Sequence, residues 1–143
     1  MALLPEDPLA HRALESLLRA ESALRRALWS DLQRQGLSAS GFSVLVLLTS
    51  AGGELELRAL RQRLRSSKAS LTEVISTLQA RGLVSRRRLV SDRRAASVLL
   101  TGAGREIVQT LFPEHSERVR DMFSVLDEQE KRSLMSLCRK LAA

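Results

Sequence analysis

One cysteine, three prolines, one tryptophan and no tyrosine in 143 residues leave several kinds of chemistry without material. The single Cys138 excludes an intramolecular disulfide and any cysteine-rich metal site. It follows Leu134 by four residues and precedes Leu141 by three, so it shares their apolar stripe. That position predicts an inert buried thiol rather than a redox sensor. The two histidines, His11 and His115, lie far apart, and neither has a carboxylate or thiol at ligand spacing. No metal and no cofactor are expected. Gly-x-Gly-x-x-Gly, the phosphate loop and Gly-x-Ser-x-Gly are all missing, and no catalytic residue is assigned. An enzyme is the weakest reading.

Long apolar runs are missing too. The longest, Val44 to Leu48, falls far short of the ~18 residues that span a bilayer, and it predicts a buried helix with no membrane partner. Residues 1–8 carry two acids and no basic stretch, unlike a secretory leader, so a cytoplasmic location is the expectation. Aromatic residues make up 3% of the chain, and none lies between Arg58 and Arg105. RNA and single strands are read by stacking bases on aromatic rings, whereas duplex phosphates and groove edges need no stacking. Double-stranded DNA therefore leads RNA as a partner.

Positive charge is what the sequence has in excess. The formal net charge is +7, which favours a polyanionic partner. Of the 23 basic residues 20 are Arg, a bias that genomic composition alone would also produce. Position separates the two explanations. Residues 58–105 hold 12 Lys/Arg against Glu73 and Asp92, a net of +10, while the remainder carries −3. Compositional bias has no reason to segregate sign in this way; a localised binding face does.

Periodicity predicts a mainly α fold with a small β-hairpin. Leu14, Leu17, Leu24, Leu28 and Leu32 recur at helical spacing over 8–35, and Gly36 stops that helix. Ser38 or Ser40 can cap a second, mostly buried helix that runs to Ser50 and ends at Gly52-Gly53. A short helix over 57–64 carries Leu57, Leu60 and Leu64 on one face. After Arg65-Ser66-Ser67, a helix over 68–81 buries Leu71, Val74, Ile75 and Leu78. Its other face is polar, with Lys68, Ser70, Thr72, Glu73, Ser76 and Thr77, and Ser67 is its N-cap. Two helices joined by a tight turn, the second polar outside, form a helix-turn-helix. Beyond Gly82 the period becomes alternating: Leu83 to Arg88, a tip at Ser91 to Arg94, then a return through Val98 and Leu100. This is a hairpin edged with Arg86, Arg87, Arg88, Arg93 and Arg94. A solvated strand edge would explain the first three alone; beside a helix-turn-helix, phosphate contact explains all five. Thr101 caps the next helix, which Pro113 is expected to kink or interrupt. Asp127 with Glu130 opens the last as a capping box, and Leu134, Leu137 and Leu141 form its apolar stripe. That stripe and Leu14 and Leu17 predict a dimer, since a small winged helix would leave them exposed.

The run Arg81-Gly82-Leu83-Val84-Ser85-Arg86-Arg87, then Asp92-Arg93-Arg94, then Leu99-Leu100-Thr101-Gly102-Ala103-Gly104-Arg105-Glu106, resembles the MarR family of bacterial regulators. Ser38-x-x-Gly-Phe42 and the late Pro113 fit the same pattern, and the likeness runs from about residue 9 to 141. The resemblance implies one MarR-type domain over 1–143, with a winged helix-turn-helix lobe at 37–101 and a helical dimerisation region at 9–35 and 102–143. It also implies a homodimer on a pseudo-palindromic operator, with Ser67 and the polar helix face in the major groove. Arg94 would enter the minor groove, oriented by Asp92. Small phenolic or lipophilic effectors are known in the family, and Trp29 is the candidate to line such a pocket. Five positions depart from the pattern. Arg61 stands in place of a small alanine, Arg65-Ser66 in place of glycine and an aliphatic residue, and Glu73 and Thr77 in place of frequent arginines. They keep a rival reading open: a helical dimeric interaction protein whose degenerate winged helix binds a protein partner.

Overall fold

The computed structural model describes residues 6–64, 67–88 and 95–143. The first helix, α1 (Pro8–Arg34), begins where Asp7 Oδ1 accepts a hydrogen bond from the Ala10 amide at 3.0 Å, with Pro8 in the first turn. Exposed pairs Glu15–Arg19 and Glu21–Arg25, four residues apart, support its surface. Gly36, at φ 74°, ends it, and the Leu37 amide returns to the Leu32 carbonyl. In α2 (Ala39–Ser50) the Ser38 hydroxyl oxygen accepts from the Gly41 amide at 3.0 Å. Then come β1 (Glu54–Glu56), α3 (Leu57–Leu64), α4 (Lys68–Ala80), β2 (Val84–Arg88), β3 (Ala96–Leu100), α5 (Gly102–Phe123) and α6 (Glu128–Ala142).

The elements fall into two compact units: the chain up to Ser30 together with His115–Ala143, and Asp31–Glu114. In the second unit, a three-stranded antiparallel sheet has the order β1-β3-β2, with Glu54 opposite Leu99 and Arg87 opposite Ser97. The hairpin of the sequence reading is there. The third strand, β1, was not anticipated, because three residues carry too little alternation to register and only the pairing with β3 defines them. Val44, Leu45 and Leu48 of α2, Leu60 of α3, Ile75 of α4 and Val98 of β3 are fully enclosed.

The start of α5 explains the Leu-Thr-x-x-Gly pattern physically. Thr101 Oγ1 donates to the Gly82 carbonyl at 2.6 Å and accepts from the Gly104 amide at 3.1 Å. This draws the first turn of α5 onto the backbone where β2 begins. A Cβ on Gly104 would lie 2.2 Å from the Leu83 carbonyl oxygen and 2.8 Å from Leu100 Cδ1, so glycine alone fits.

One of two alternatives is set aside and one expectation is corrected. Pro113 does not interrupt its helix: α5 runs unbroken from Gly102 to Phe123. Proline removes one hydrogen bond, to the carbonyl of Gln109, and Gln109 is exposed, where water can satisfy that oxygen. Cys138 is exposed rather than buried, because no residue of α6 is buried within the chain. The α6 cap itself is as read, with Asp127 Oδ1 accepting from the Glu130 amide at 2.8 Å. Among the described residues no helix is long and apolar enough to cross a membrane.

Candidate nucleic-acid interface

The site begins with the cap of α4, where the Ser67 hydroxyl oxygen accepts from the Ser70 amide at 3.1 Å. Leu71, Ile75 and Leu78 bury one edge of the helix. Burying that edge turns Lys68, Ser70, Glu73, Ser76 and Thr77 outward, all exposed, with Thr72 half-buried beside them. The Thr72 hydroxyl donates to the Lys68 carbonyl at 2.8 Å and the Thr77 hydroxyl to the Glu73 carbonyl at 3.1 Å. Both oxygens are left as acceptors, and with the Glu73 carboxylate they suit the exocyclic amines of cytosine and adenine in a major groove.

The three consecutive arginines of β2 are placed differently from one another. Arg86 Nη2 reaches over α4, 3.3 Å from the Thr72 carbonyl and 3.4 Å from the Ser76 hydroxyl, so it braces the wing strand against that helix. Arg87 crosses the sheet to Glu54 on β1, with its Nη2 2.5 Å from a carboxylate oxygen. Arg88 is exposed and makes neither kind of contact among the described residues. Asp92, Arg93 and Arg94, like Arg65, lie outside the described residues. At the far end of α4, Arg81 Nη1 donates to the Gly36 carbonyl at 3.0 Å and ties the helix end to the turn after α1.

Sequence reading took Arg61 only as a departure from the family pattern, and assigned neither it nor Arg58 a contact. They sit three residues apart on α3, Arg58 exposed and Arg61 half-buried, and both line a groove beside Lys68. The leucine spacing of α3 already placed Arg58 off the apolar face, which was the available signal.

In the other unit, Trp29 is half-buried and stacked on His115, with ring centroids 5.0 Å apart and planes at 27°. Burial pushes the His115 pKa below its ordinary value, and the nearby Arg118 charge adds to this, against a hydrogen bond to the Leu28 backbone that raises it. Neither ring belongs to the α4 surface. Among the described residues no group of three or more His, Cys, Asp or Glu is placed to hold a metal ion.

The MarR family model matches residues 37–96, the segment that holds α2 to the start of β3. The HTH-type transcriptional regulator MhqR of Bacillus subtilis is 28% identical over 114 residues, 80% of this chain and 78% of that protein. The uncharacterized HTH-type transcriptional regulator YkoM of the same bacterium is 30% identical over 110 residues, 77% of this chain and 71% of its own length. Among solved structures, Sco3205, a MarR family transcriptional regulator from Streptomyces coelicolor in complex with DNA, aligns with a TM-score of 0.84 and 27% identity, over 99% of this chain and 89% of that one. With its basic helix-turn-helix and antiparallel strand pair, and with a relative 30% identical over 71% of that protein's length, the chain belongs to the MarR family of transcriptional regulators.

Proposed function

We propose that the protein is a homodimeric repressor that reads a pseudo-palindromic duplex operator and is released by a small phenolic or lipophilic effector. The observation that carries this reading is the exposed polar face of α4 with the arginine strand β2 braced alongside it by Arg86. That arrangement offers groups for base edges and cations for phosphates on one surface, which is the division of labour duplex recognition needs. In this reading the lobe at 37–101 contacts DNA, while 9–35 and 102–143 join two copies through Leu14, Leu17, Leu134, Leu137 and Leu141. Ser67, Lys68, Ser70, Thr72, Glu73, Ser76 and Thr77 meet the major groove, and Arg86, Arg87, Arg88 and Arg93 neutralise phosphates. Arg94 enters the minor groove, where a narrow groove concentrates negative potential, and Asp92 orients it. Trp29, stacked on His115, is the side chain through which an effector would be felt.

The exposed Glu73 carboxylate in the middle of the α4 face favours the second reading, a winged helix that binds a protein. One experiment separates the two. Genomic fragments are passed over the purified protein and the retained ones sequenced. Enrichment of a shared, two-fold symmetric sequence is expected. Retention of all fragments alike, or of none, would refute the regulator reading and leave the protein partner.

A further inference from the structure

A groove of about 340 Å³ lies between α3, the first turn of α4 and the start of β3. Among the described residues its wall carries three cations, Arg58, Arg61 and Lys68, against a single carboxylate, Glu56. Among the described residues none of the three cations has a carboxylate within ion-pairing distance, Glu56 included, in contrast to Arg19, Arg25, Arg87 and Arg132. Arg61 is also half-buried. A guanidinium that has given up part of its hydration without gaining an anion is costly, and an oxyanion in the groove would relieve that cost. Its floor is Leu71 and the small Ala95 and Ala96, which leave room for a tetrahedral group to approach the helix. Arg58 and Arg61, one turn apart on α3, present two planar forks to the same space.

We infer that this groove is a backbone-phosphate site. Arg61 and Arg58 of α3, with Lys68, hold one phosphodiester of the duplex and so fix the depth of α4 in its groove. The inference rests on the duplex-DNA reading above and adds a contact from the first helix of the helix-turn-helix. Phosphate contacts position a protein without reading sequence, so the site raises affinity equally for operator and unrelated duplex.

The test is the salt dependence of binding, measured for the parent, Arg61→Ala, Arg58→Ala and, as a control in the other unit, Arg120→Ala. The selected operator and an unrelated duplex of equal length serve as ligands. Each released phosphate contact lowers the slope of log K against log salt by about 0.9. Arg61→Ala is expected to flatten the slope by about one per subunit on both duplexes, and Arg120→Ala to leave it unchanged. Arg58→Ala gives the same readout should the Arg61 variant fail to fold, as judged by its thermal transition. If the parent binds no duplex, the regulator reading fails and this site falls with it. If the parent binds and both α3 variants keep its slope, only the phosphate site is overturned. Inorganic phosphate titrated at constant ionic strength covers the free-anion alternative. Competition that disappears in Arg61→Ala while the duplex slope stays at the parent value would also overturn the inference, in favour of a small-anion pocket.

Discussion

In Asp31–Glu114, Leu45, Leu48 and Leu60 have no exposed surface, whereas in the other unit Leu14, Leu137 and Leu141 are each more than half exposed. The first unit closes a core of its own from α2, α3, α4 and the sheet. The other unit carries the same apolar residue at the same helical spacing, and although Leu28 is buried, the described residues leave much of Leu14, Leu137 and Leu141 uncovered. Covering one leucine is worth about 1.5–3 kcal/mol, so an uncovered stripe is a strong reason to associate. The contrast teaches that the winged helix closes a core within a single chain, while the helical ends leave apolar surface that the proposed dimer would cover.

The largest effect is expected where that contrast is attacked directly. Leu137→Asp places a charge in the middle of the uncovered α6 stripe and should convert a dimer to monomers at micromolar concentration by light scattering. Losing the second half-site removes the avidity of a linked pair, so operator affinity should fall by about 100-fold or more. A variant that remains dimeric with parental affinity would show that α6 is not the joining surface.

Gly104→Ala attacks the other side of the comparison. Its methyl would press on the Leu83 backbone carbonyl, which cannot swing away as a side chain can. A loss of about 3 kcal/mol in urea unfolding is expected, at the upper end of the overpacking range. Below its unfolding transition the oligomeric state should not change. Parental stability would mean that the seating of α5 on β2 is looser than the hydrogen bonds of Thr101 imply.

The smallest effect concerns His115. Its folded pKa is lowered, first by burial and then by Arg118, so folding favours the neutral imidazole. The contribution is therefore present in full above the ordinary value of about 6.5 and is lost as pH falls below it. Thermal stability should drop modestly between pH 7.5 and pH 5.5, and His115→Gln should flatten that part of the profile. An identical profile in the variant would place the acid sensitivity elsewhere.

Much of the frame was legible because its signals are local. Ser67, Thr101 and Asp127 each accept the amide hydrogen bond that their spacing foretold, and of the two serines offered for α2 it is Ser38 that caps. Gly36 and Gly82 take the positive φ of a helix stop, 74° and 72°. What was not legible depends on partners distant in sequence. Arg87 finds Glu54 33 residues away, and only a third strand, invisible at three residues, brings them together. Nor could spacing show that Arg86 also touches Thr72 and Ser76, a contact set by how β2 packs against α4. The exposure of Cys138 could not be read from periodicity either. A stripe announces that a face is apolar, and says nothing about whether the same chain covers it.

The account turns on two copies of one reading lobe acting together, and hydroxyl-radical footprinting of a selected fragment tests that most directly. Two protected patches related by a two-fold axis are expected, with centres about one helical turn, roughly 34–36 Å, apart. A single asymmetric patch, at concentrations where the protein is dimeric, would contradict it.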